Sequence, residues 1–230
     1  MFKTFESISS TLAPHKDVLG ILAGFMTILQ YMSGSLVCCE IIKKKSTENI
    51  SALPFIGGLV ISILSLQYGW ILKDTTTVYI SLAGIVFNLM YFTVYISFLP
   101  PGHQKEETTR ICNYGAAVTA VCLGYSWFED PALVEFRYGM VITCLGLMLM
   151  ASPLLNLGEI IRKKDSSALP LPLIAMGTIV SFLWLIYGLA ARNNFLIAQN
   201  IAGFLICLLQ LPLLVIYPSN HNEAHKEKLL

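Results

Sequence analysis

Glu40-Ile-Ile-Lys-Lys-Lys45 returns 119 residues later as Glu159-Ile-Ile-Arg-Lys-Lys164. The same shift aligns two further sets of residues: Leu64, Leu66, Tyr68 and Gly69 with Leu183, Leu185, Tyr187 and Gly188, and Ala83-Gly84 with Ala202-Gly203. A single apolar match is weak, because Leu and Ala are common in any apolar helix. One shift that holds over three separate stretches indicates an internal duplication.

These matches lie within or beside seven apolar runs. Each run is close to the roughly 20 helical residues that cross about 30 Å of hydrocarbon. The runs cover residues 18–39, 50–72, 78–99, 111–128, 138–157, 168–191 and 195–217. Apolar residues make up 55% of the 230-residue chain and charged residues only 13%, about half the share usual in soluble domains. Because lipid offers the backbone no hydrogen-bond partner, the runs are predicted to be transmembrane helices.

The duplication relates helices 1–3 to helices 5–7 and leaves helix 4 as a connector. A connector of one membrane-spanning helix between two three-helix units gives both units the same orientation in the membrane, so the repeat is parallel. The sequence therefore predicts an all-α integral membrane protein, with seven transmembrane helices in a 3+1+3 arrangement of two triple-helix bundles. The predicted divisions are an extracellular N-terminus, a first repeat, a loop with helix 4, a second repeat and a cytoplasmic tail: residues 1–17, 18–100, 101–137, 138–217 and 218–230.

Basic residues orient the predicted bundle. With the N-terminus outside, the cytoplasmic segments hold ten Lys and Arg residues and the outer segments hold five. The clusters at 43–45 and 162–164 both fall inside, as the positive-inside rule requires. We therefore predict a multi-pass protein with an outer N-terminus and a cytoplasmic C-terminus. The plasma membrane is its expected location, and the Golgi or another endomembrane is the alternative.

The predicted helix interiors hold no Asp, Glu, Lys, Arg or His. Ion pathways and proton relays normally use such groups, so ion coupling and a charged substrate are disfavoured. The sequence shows neither a phosphate-binding motif nor a nucleophile–base set, and its net charge of +1 gives no field for nucleic acid. His221 and His225 have the spacing of a metal pair, but their polar tail offers no further ligand. We predict no enzyme, metal or cofactor, and favour downhill movement of a neutral solute.

Mild polar side chains occur along these interiors, among them Ser65, Ser81 and Asn200. Such groups can hydrogen-bond the hydroxyls of a solute, and Trp70 or Trp184 can stack on the apolar face of a sugar ring. The alternative is that serine bonds its own backbone or joins helices, and that tryptophan marks the membrane interface. The residues themselves leave both interpretations open.

Three prolines stand near the predicted cytoplasmic ends of helices 2, 5 and 6: Pro54, Pro153 and Pro170. Each removes a backbone donor and softens a helix at that depth. They are interpreted either as a ring of hinges or as the prolines that membrane helices commonly carry.

Several of these features together resemble the SWEET sugar-transporter family, in an animal form. They are the 3+1+3 plan, the loop Lys43-Lys-Lys-Ser-Thr-Glu-Asn-Ile-Ser-Ala-Leu-Pro54, the step Ala151-Ser-Pro153, and the Tyr-Gly pairs at 68–69 and 187–188. The resemblance covers about residues 18–217. It implies uniport of a mono- or disaccharide by alternating access, with a small neutral sugar and the lipid bilayer as partners. It also permits a homo-oligomer.

The resemblance implies three groups of site residues. The sugar-contacting positions are Ser65, Ser81, Trp184 and Asn200. The hinge positions are Gly34, Pro54, Pro153 and Pro170. The outer-gate positions are Tyr68, Gly69, Tyr187, Gly188 and Asn193. Gly34 and Ser81 depart from the plant pattern of a proline and an asparagine, so sugar selectivity does not transfer.

Three other interpretations are weighed against this one. A PQ-loop carrier for another small neutral solute or an amino acid would share the repeat, but such carriers commonly use membrane acids, which are missing here. A seven-helix receptor would share the helix count, but it needs no 119-residue repeat. A non-transporting membrane adaptor is the third.

Overall fold

The computed structural model describes residues 2–48, 50–151, 161–162, 164 and 171–217. Eight α-helices and one 3₁₀ turn occur in this part of the chain. They are α1 (Phe2–Leu12), the turn Ala13–His15, α2 (Lys16–Lys44), α3 (Leu53–Leu72), α4 (Thr75–Ser97), α5 (His103–Phe128), α6 (Pro131–Ala151), α7 (Leu171–Ala191) and α8 (Asn194–Ile216). Two predicted hinge residues, Pro153 and Pro170, lie outside the described residues, as do His221 and His225.

Helices α1 and α2 follow each other through the 3₁₀ turn, so the described chain has seven helical segments in the predicted order. Six of them are long and apolar enough to cross a membrane: residues 6–44, 53–72, 75–97, 131–149, 174–191 and 194–212. Helix α5 is not among the six: its uncharged part, residues 111–128, is long enough, but polar residues such as Asn113 and Ser126 make it less apolar than the others. The predicted all-helical membrane fold is confirmed.

The helices pack into two compact units. The central unit comprises residues 27–145, and the terminal unit comprises residues 1–26 and 146–230. Helices α2 and α6 each begin in one unit and end in the other. The predicted divisions after residues 17, 100, 137 and 217 follow the repeat in the sequence and stay a prediction.

Both units contain the same helical hairpin. Helix α8 has the bounds that a 119-residue shift of α4 requires, and α7 ends at the residue equivalent to the end of α3. Lys73 and Arg192 follow α3 and α7 at equivalent positions, with φ of 53° and 54°. Lys45 and Lys164 form another equivalent pair, with φ of 52° and 51°. Residues other than glycine rarely adopt this left-handed backbone conformation. Its recurrence at equivalent positions shows that the duplication extends to the backbone.

An equivalent cap begins the second helix of each hairpin. At the start of α4, the backbone N–H of Thr77 donates to Asp74 Oδ2 at 3.1 Å. At the start of α8, the N–H of Leu196 donates to Asn193 Oδ1 at 3.0 Å. A side-chain oxygen here satisfies one of the open N–H groups of the first turn, typically worth about 1 kcal/mol. Asn193, predicted in the outer gate, therefore also has a structural role.

An aromatic cluster forms the core at one end of the central unit. Tyr91 and Tyr95 of α4 are 6% and 1% exposed and pack with Phe55 of α3. The Tyr95 hydroxyl donates to the Ile50 carbonyl at 3.0 Å, and Gln104 Nε2 donates to that hydroxyl at 3.1 Å. These bonds tie the loop between α2 and α3 to α4 and to the start of α5.

Candidate functional site

Helices α3 and α4 run antiparallel, and close contacts fix their register. At each contact, a glycine of one helix leaves room for a side chain of the other helix. The pairs are Gly58 with Asn88, Gly84 with Ser62, and Gly69 with Val78. Between the second and third contacts, this register places Ser65 of α3 opposite Ser81 of α4. Ser81 is buried and Ser65 is half-buried. Two predicted sugar-contacting residues are therefore brought together inside the central unit.

The terminal unit repeats this register with α7 and α8. A methyl group on Gly188 would lie 3.2 Å from the backbone nitrogen of Ile197, which is the contact equivalent to Gly69 with Val78. One turn further along both helices, the register places Trp184 opposite Asn200. These two side chains are 9% and 8% exposed. The pair occupies the same repeat positions as Ser65 and Ser81.

The Trp184–Asn200 pair offers both an aromatic surface and an amide. Asn200 Nδ2 donates to the Leu196 carbonyl at 2.8 Å, which fixes the amide and uses one of its two N–H donors. The Tyr187 ring meets the Trp184 ring at 88°, with 5.3 Å between centroids, and so orients the indole. Trp70, the other tryptophan considered for stacking, is 66% exposed. Burial therefore favours Trp184.

Other polar side chains in these helices bond their own backbone. The Ser62 hydroxyl donates to the Gly58 carbonyl at 2.7 Å, and Asn88 Nδ2 donates to the Gly84 carbonyl at 2.8 Å. Both side chains also lie at the glycine contacts between α3 and α4. Their role is helix packing, as the alternative interpretation of the sequence allowed.

The hinge position Gly34 lies against the Tyr91 ring. A methyl group on Gly34 would lie 3.0 Å from Tyr91 Cδ2, with Cε2 closer still. The Tyr91 hydroxyl donates to the Tyr31 carbonyl at 2.7 Å. The backbone N–H that follows this carbonyl in the helix ladder belongs to Ser35. In a regular turn, that carbonyl and that N–H would bond each other. Helix α2 is continuous through this point, so the hydroxyl is a second partner for a carbonyl of its backbone ladder.

Pro54 is the second residue of α3, after Ala52 at the N-cap position. The N–H groups of the first turn have no partner within a helix, so a proline here breaks no helical hydrogen bond. Pro54 thus marks the start of α3, and its role as a hinge stays a prediction.

The predicted outer-gate residues Tyr68 and Gly69 lie at the end of α3. The Tyr68 ring is nearly buried and lies 6.4 Å from the Tyr138 ring, between centroids. The Tyr138 hydroxyl is buried and has no hydrogen-bond partner in the part of the chain that the structure describes. Gly69 admits Val78 of α4. This end of the central unit is therefore closely packed and aromatic.

Of the equivalent residues of the terminal unit, Tyr187 lies against the N-terminal segment and Gly188 lies against α8. Tyr187 is fully buried, and Lys16 Nζ lies 5.7 Å from the centre of its ring, a cation–π distance. The Ser9 hydroxyl donates to the Leu189 carbonyl at 2.8 Å, which attaches α1 to α7. Helix α1 was not predicted. Its signal in the sequence is the helical spacing of apolar residues from Phe2 to Leu12, which is too short to suggest a membrane span.

A charged group lies at the turn between α5 and α6. Glu129 Oε2 accepts a short hydrogen bond from the Tyr125 hydroxyl and a 2.8 Å bond from Arg137 Nη1. These two bonds, with one from the Asp130 N–H, lower the pKa of Glu129 to about 2. Among the described residues, no group of three or more His, Cys, Asp or Glu residues has the geometry to hold a metal ion.

Comparison with known proteins places this chain in a family. The family model described as "sugar efflux transporter for intercellular exchange" matches residues 17–103 and again residues 136–222, at the 119-residue spacing of the repeat. Sugar transporter SWEET1 of Drosophila pseudoobscura pseudoobscura is 32% identical over 216 residues, which are 93% of this chain and 95% of that protein. Bidirectional sugar transporter SWEET3b of Oryza sativa subsp. japonica is 28% identical over 90% of this chain and 85% of its own length.

A solved structure of a eukaryotic SWEET transporter gives the same result. It matches with a TM-score of 0.77 and 25% identity, and covers 89% of this chain and 99% of the solved chain. The double match of the family model, the 32% identity and this agreement in fold lead to one conclusion: the chain belongs to the MtN3/SWEET family.

Proposed function

We propose that this chain carries a small neutral sugar, a mono- or disaccharide, down its concentration gradient across a membrane by alternating access. Its relatives are named as sugar transporters. The observation that carries the proposal is the shared register of the two hairpins, which sets Trp184 opposite Asn200 and Ser65 opposite Ser81 at equivalent positions. Each unit thus contributes one pair of polar or aromatic side chains, with no charged residue among them.

The chemistry of these four side chains suits a sugar. The flat indole of Trp184 offers an apolar surface for the C–H face of a pyranose ring, and the Asn200 amide and the two serine hydroxyls can bond its hydroxyls. Each neutral hydrogen bond contributes a net of about 1 kcal/mol. Three such bonds and one stacking contact give about 4 kcal/mol, which corresponds to millimolar binding. Such weak binding favours release, which a carrier needs.

The hinges and gates complete the proposed cycle. Gly34 is the hinge of the first membrane helix, and the Tyr91 hydroxyl weakens the backbone ladder beside it by bonding the Tyr31 carbonyl. Pro54, Pro153 and Pro170 serve the other helices. Tyr68 and Gly69 in one unit, with Tyr187, Gly188 and Asn193 in the other, close the outer side. We assign the N-terminus to the outside and the C-terminus to the cytoplasm of the plasma membrane. The carrier is not an enzyme, and each chain of a homo-oligomer would hold its own path.

Radiotracer uptake into proteoliposomes tests this proposal, with glucose, trehalose and sucrose as probes. Trp184→Ala should lower uptake per reconstituted molecule at least tenfold, while Trp70→Ala, at an exposed tryptophan, should leave it near the wild-type level. Asn200→Ala should lower uptake as well. Uptake of an amino acid or an ion in place of every sugar would favour the PQ-loop alternative. Absence of any uptake would favour a receptor or an adaptor.

A further inference from the structure

An open groove runs along α5 within the central unit. Its first part is a cavity of about 520 Å³ between Phe92, Ile96 and Leu99 on or next to α4 and Lys105 and Cys112 of α5. A second cavity of about 470 Å³ continues it between α3 and α5. Phe92 and Cys112 line both cavities, so the two form one groove that opens to the outside of the unit.

The second part of the groove is almost entirely apolar. Ile56 and Val60 of α3 form one wall, and Ala116 and Leu123 of α5 lie on the other. The two helices are in close contact at Gly115, where an added methyl group would lie 3.0 Å from Ile56 Cγ2. Small side chains on α5 keep the groove open beside this contact, so a chain-like apolar molecule fits there.

The depth of the groove matches one leaflet of a bilayer. The apolar run of α5 begins at Ile111. Half of a hydrocarbon core of about 30 Å is about 15 Å, or about ten helical residues, which reaches from Ile111 to about Val121. The groove extends to Leu123. An acyl chain that starts at the membrane surface therefore ends where the groove ends.

A single charge stands at the mouth of the groove. Lys105 is exposed and is the one charged residue among those that line the two cavities. The neighbouring Thr109 hydroxyl donates a hydrogen bond to the Lys105 carbonyl at 2.8 Å. Glu107 lines a neighbouring cavity, next to Tyr95 and Gln104, which shares only Thr108 with the first part of the groove. The ammonium of Lys105 thus lies at the water interface, one to two helical turns before the apolar run.

We propose that this groove binds one anionic phospholipid, with an acyl chain between α3, α4 and α5 and its phosphate on Lys105. Basic pockets between transmembrane helices at the membrane surface are known to hold anionic head groups. The lipid would cover the apolar surface of α5 and hold this connector against the central unit. The proposal needs the chain to be in a membrane, but it does not depend on which solute is carried.

Native mass spectrometry of the purified full-length chain tests the proposal. Dioleoylphosphatidylglycerol should remain bound at one molecule per chain, more tightly than dioleoylphosphatidylcholine. Lys105→Gln should weaken phosphatidylglycerol binding about fivefold, the effect expected for one basic residue at a membrane surface. Arg110→Gln is the matched control, because Arg110 is exposed on the same helix but lines neither cavity. Equal losses in the two variants would overturn the proposal.

A second pair of variants tests the groove itself. Ala116→Phe fills it and should remove the retained lipid, while Ala117→Phe, at an exposed alanine that does not line it, should keep the lipid. Thermal unfolding of both variants checks that they are folded. Displacement of the lipid by inorganic phosphate alone would contradict the acyl contact. A dimer that dissociates only in Ala116→Phe would assign the groove to a second copy instead. None of these readouts involves a sugar, so a negative result leaves the proposed function untouched.

Discussion

Removal of one hydroxyl group, in Tyr91→Phe, separates the proposed hinge from the packing around it. The variant keeps the ring that lies against Gly34 and loses only the oxygen that bonds the Tyr31 carbonyl. That carbonyl is then left to the backbone ladder of α2 alone. We expect α2 to become straighter and stiffer at this point.

The expected cost in stability is small. A neutral hydrogen bond contributes about 0.5–1.5 kcal/mol, and bonds within membrane proteins average about 0.6 kcal/mol. A stronger backbone bond at the freed Tyr31 carbonyl offsets part of this loss, so Tyr91→Phe should cost less than about 1 kcal/mol and lower the melting temperature by a few degrees. If the same free energy opposes bending of α2 during transport, sugar uptake should fall by up to about fivefold.

Tyr95→Phe provides the matched control. Tyr95 is one turn further along α4, is equally buried, and also donates its hydroxyl to a backbone carbonyl. Its acceptor, Ile50, lies in a loop and retains a bond from Gln104 Nε2 at 3.2 Å, so no helix ladder is changed. Melting of both variants and uptake per reconstituted molecule should show similar stability losses but slower transport only for Tyr91→Phe. Equal uptake by both variants would refute the role of this hydroxyl as a hinge.

Three further predictions concern packing, capping and charge. Gly84→Ala should destabilise the protein by about 1–3 kcal/mol in thermal unfolding, because the added methyl would lie 2.6 Å from Ser62 Oγ; Gly124→Ala, which meets nothing within 4 Å, should be neutral or stabilise by up to about 1 kcal/mol. Asp74→Ala should cost about 0.5–2 kcal/mol, and Asp74→Asn should restore most of it, as the cap of α8 uses Asn193. Because the pKa of Glu129 is lowered to about 2, its stabilising effect is complete above its ordinary value of 4.5 and is lost as the pH falls from there towards 2. The difference in melting temperature between the protein and Glu129→Gln should therefore be constant from pH 8 to 5; a change within that range would contradict the assignment.

The sequence predicted the helices well where apolar composition defines them. Helices α3, α7 and α8 begin and end within a few residues of the predicted runs. The predicted bounds are wrong where a helix continues into a segment with charged residues. Helix α2 extends to Lys44, past the predicted end at residue 39, and Glu40 and Lys44 form an ion pair at 2.6 Å on its final turn. Helix α6 begins at Pro131, seven residues before the predicted run, because Asp130 caps it: the Ala132 N–H donates to Asp130 Oδ1 at 2.8 Å.

The roles of some residues could be predicted from the sequence, and the roles of others could not. Asp74 precedes three threonines at the start of an apolar run, and this pattern is typical of a helix N-cap. The role of Tyr91 depends instead on the packing of α4 on α2, across 60 residues of chain. No pattern near Gly34 identifies its partner. The position of α1 on α7 likewise joins residues 180 apart, through Ser9 and Leu189.

The duplication places the four proposed sugar-contacting residues at equivalent positions of the two hairpins. Evolution of a repeat keeps the backbone where it must turn, and Lys73 and Arg192 retain the same rare conformation. Side chains are then free to diverge at positions that the register holds opposite each other. Ser65 and Ser81 are small and hydroxylic in one hairpin, while an indole (Trp184) and an amide (Asn200) occupy the equivalent positions in the other. In the proposed function, this combination of a symmetric frame with unequal contacts lets the carrier bind an asymmetric ring.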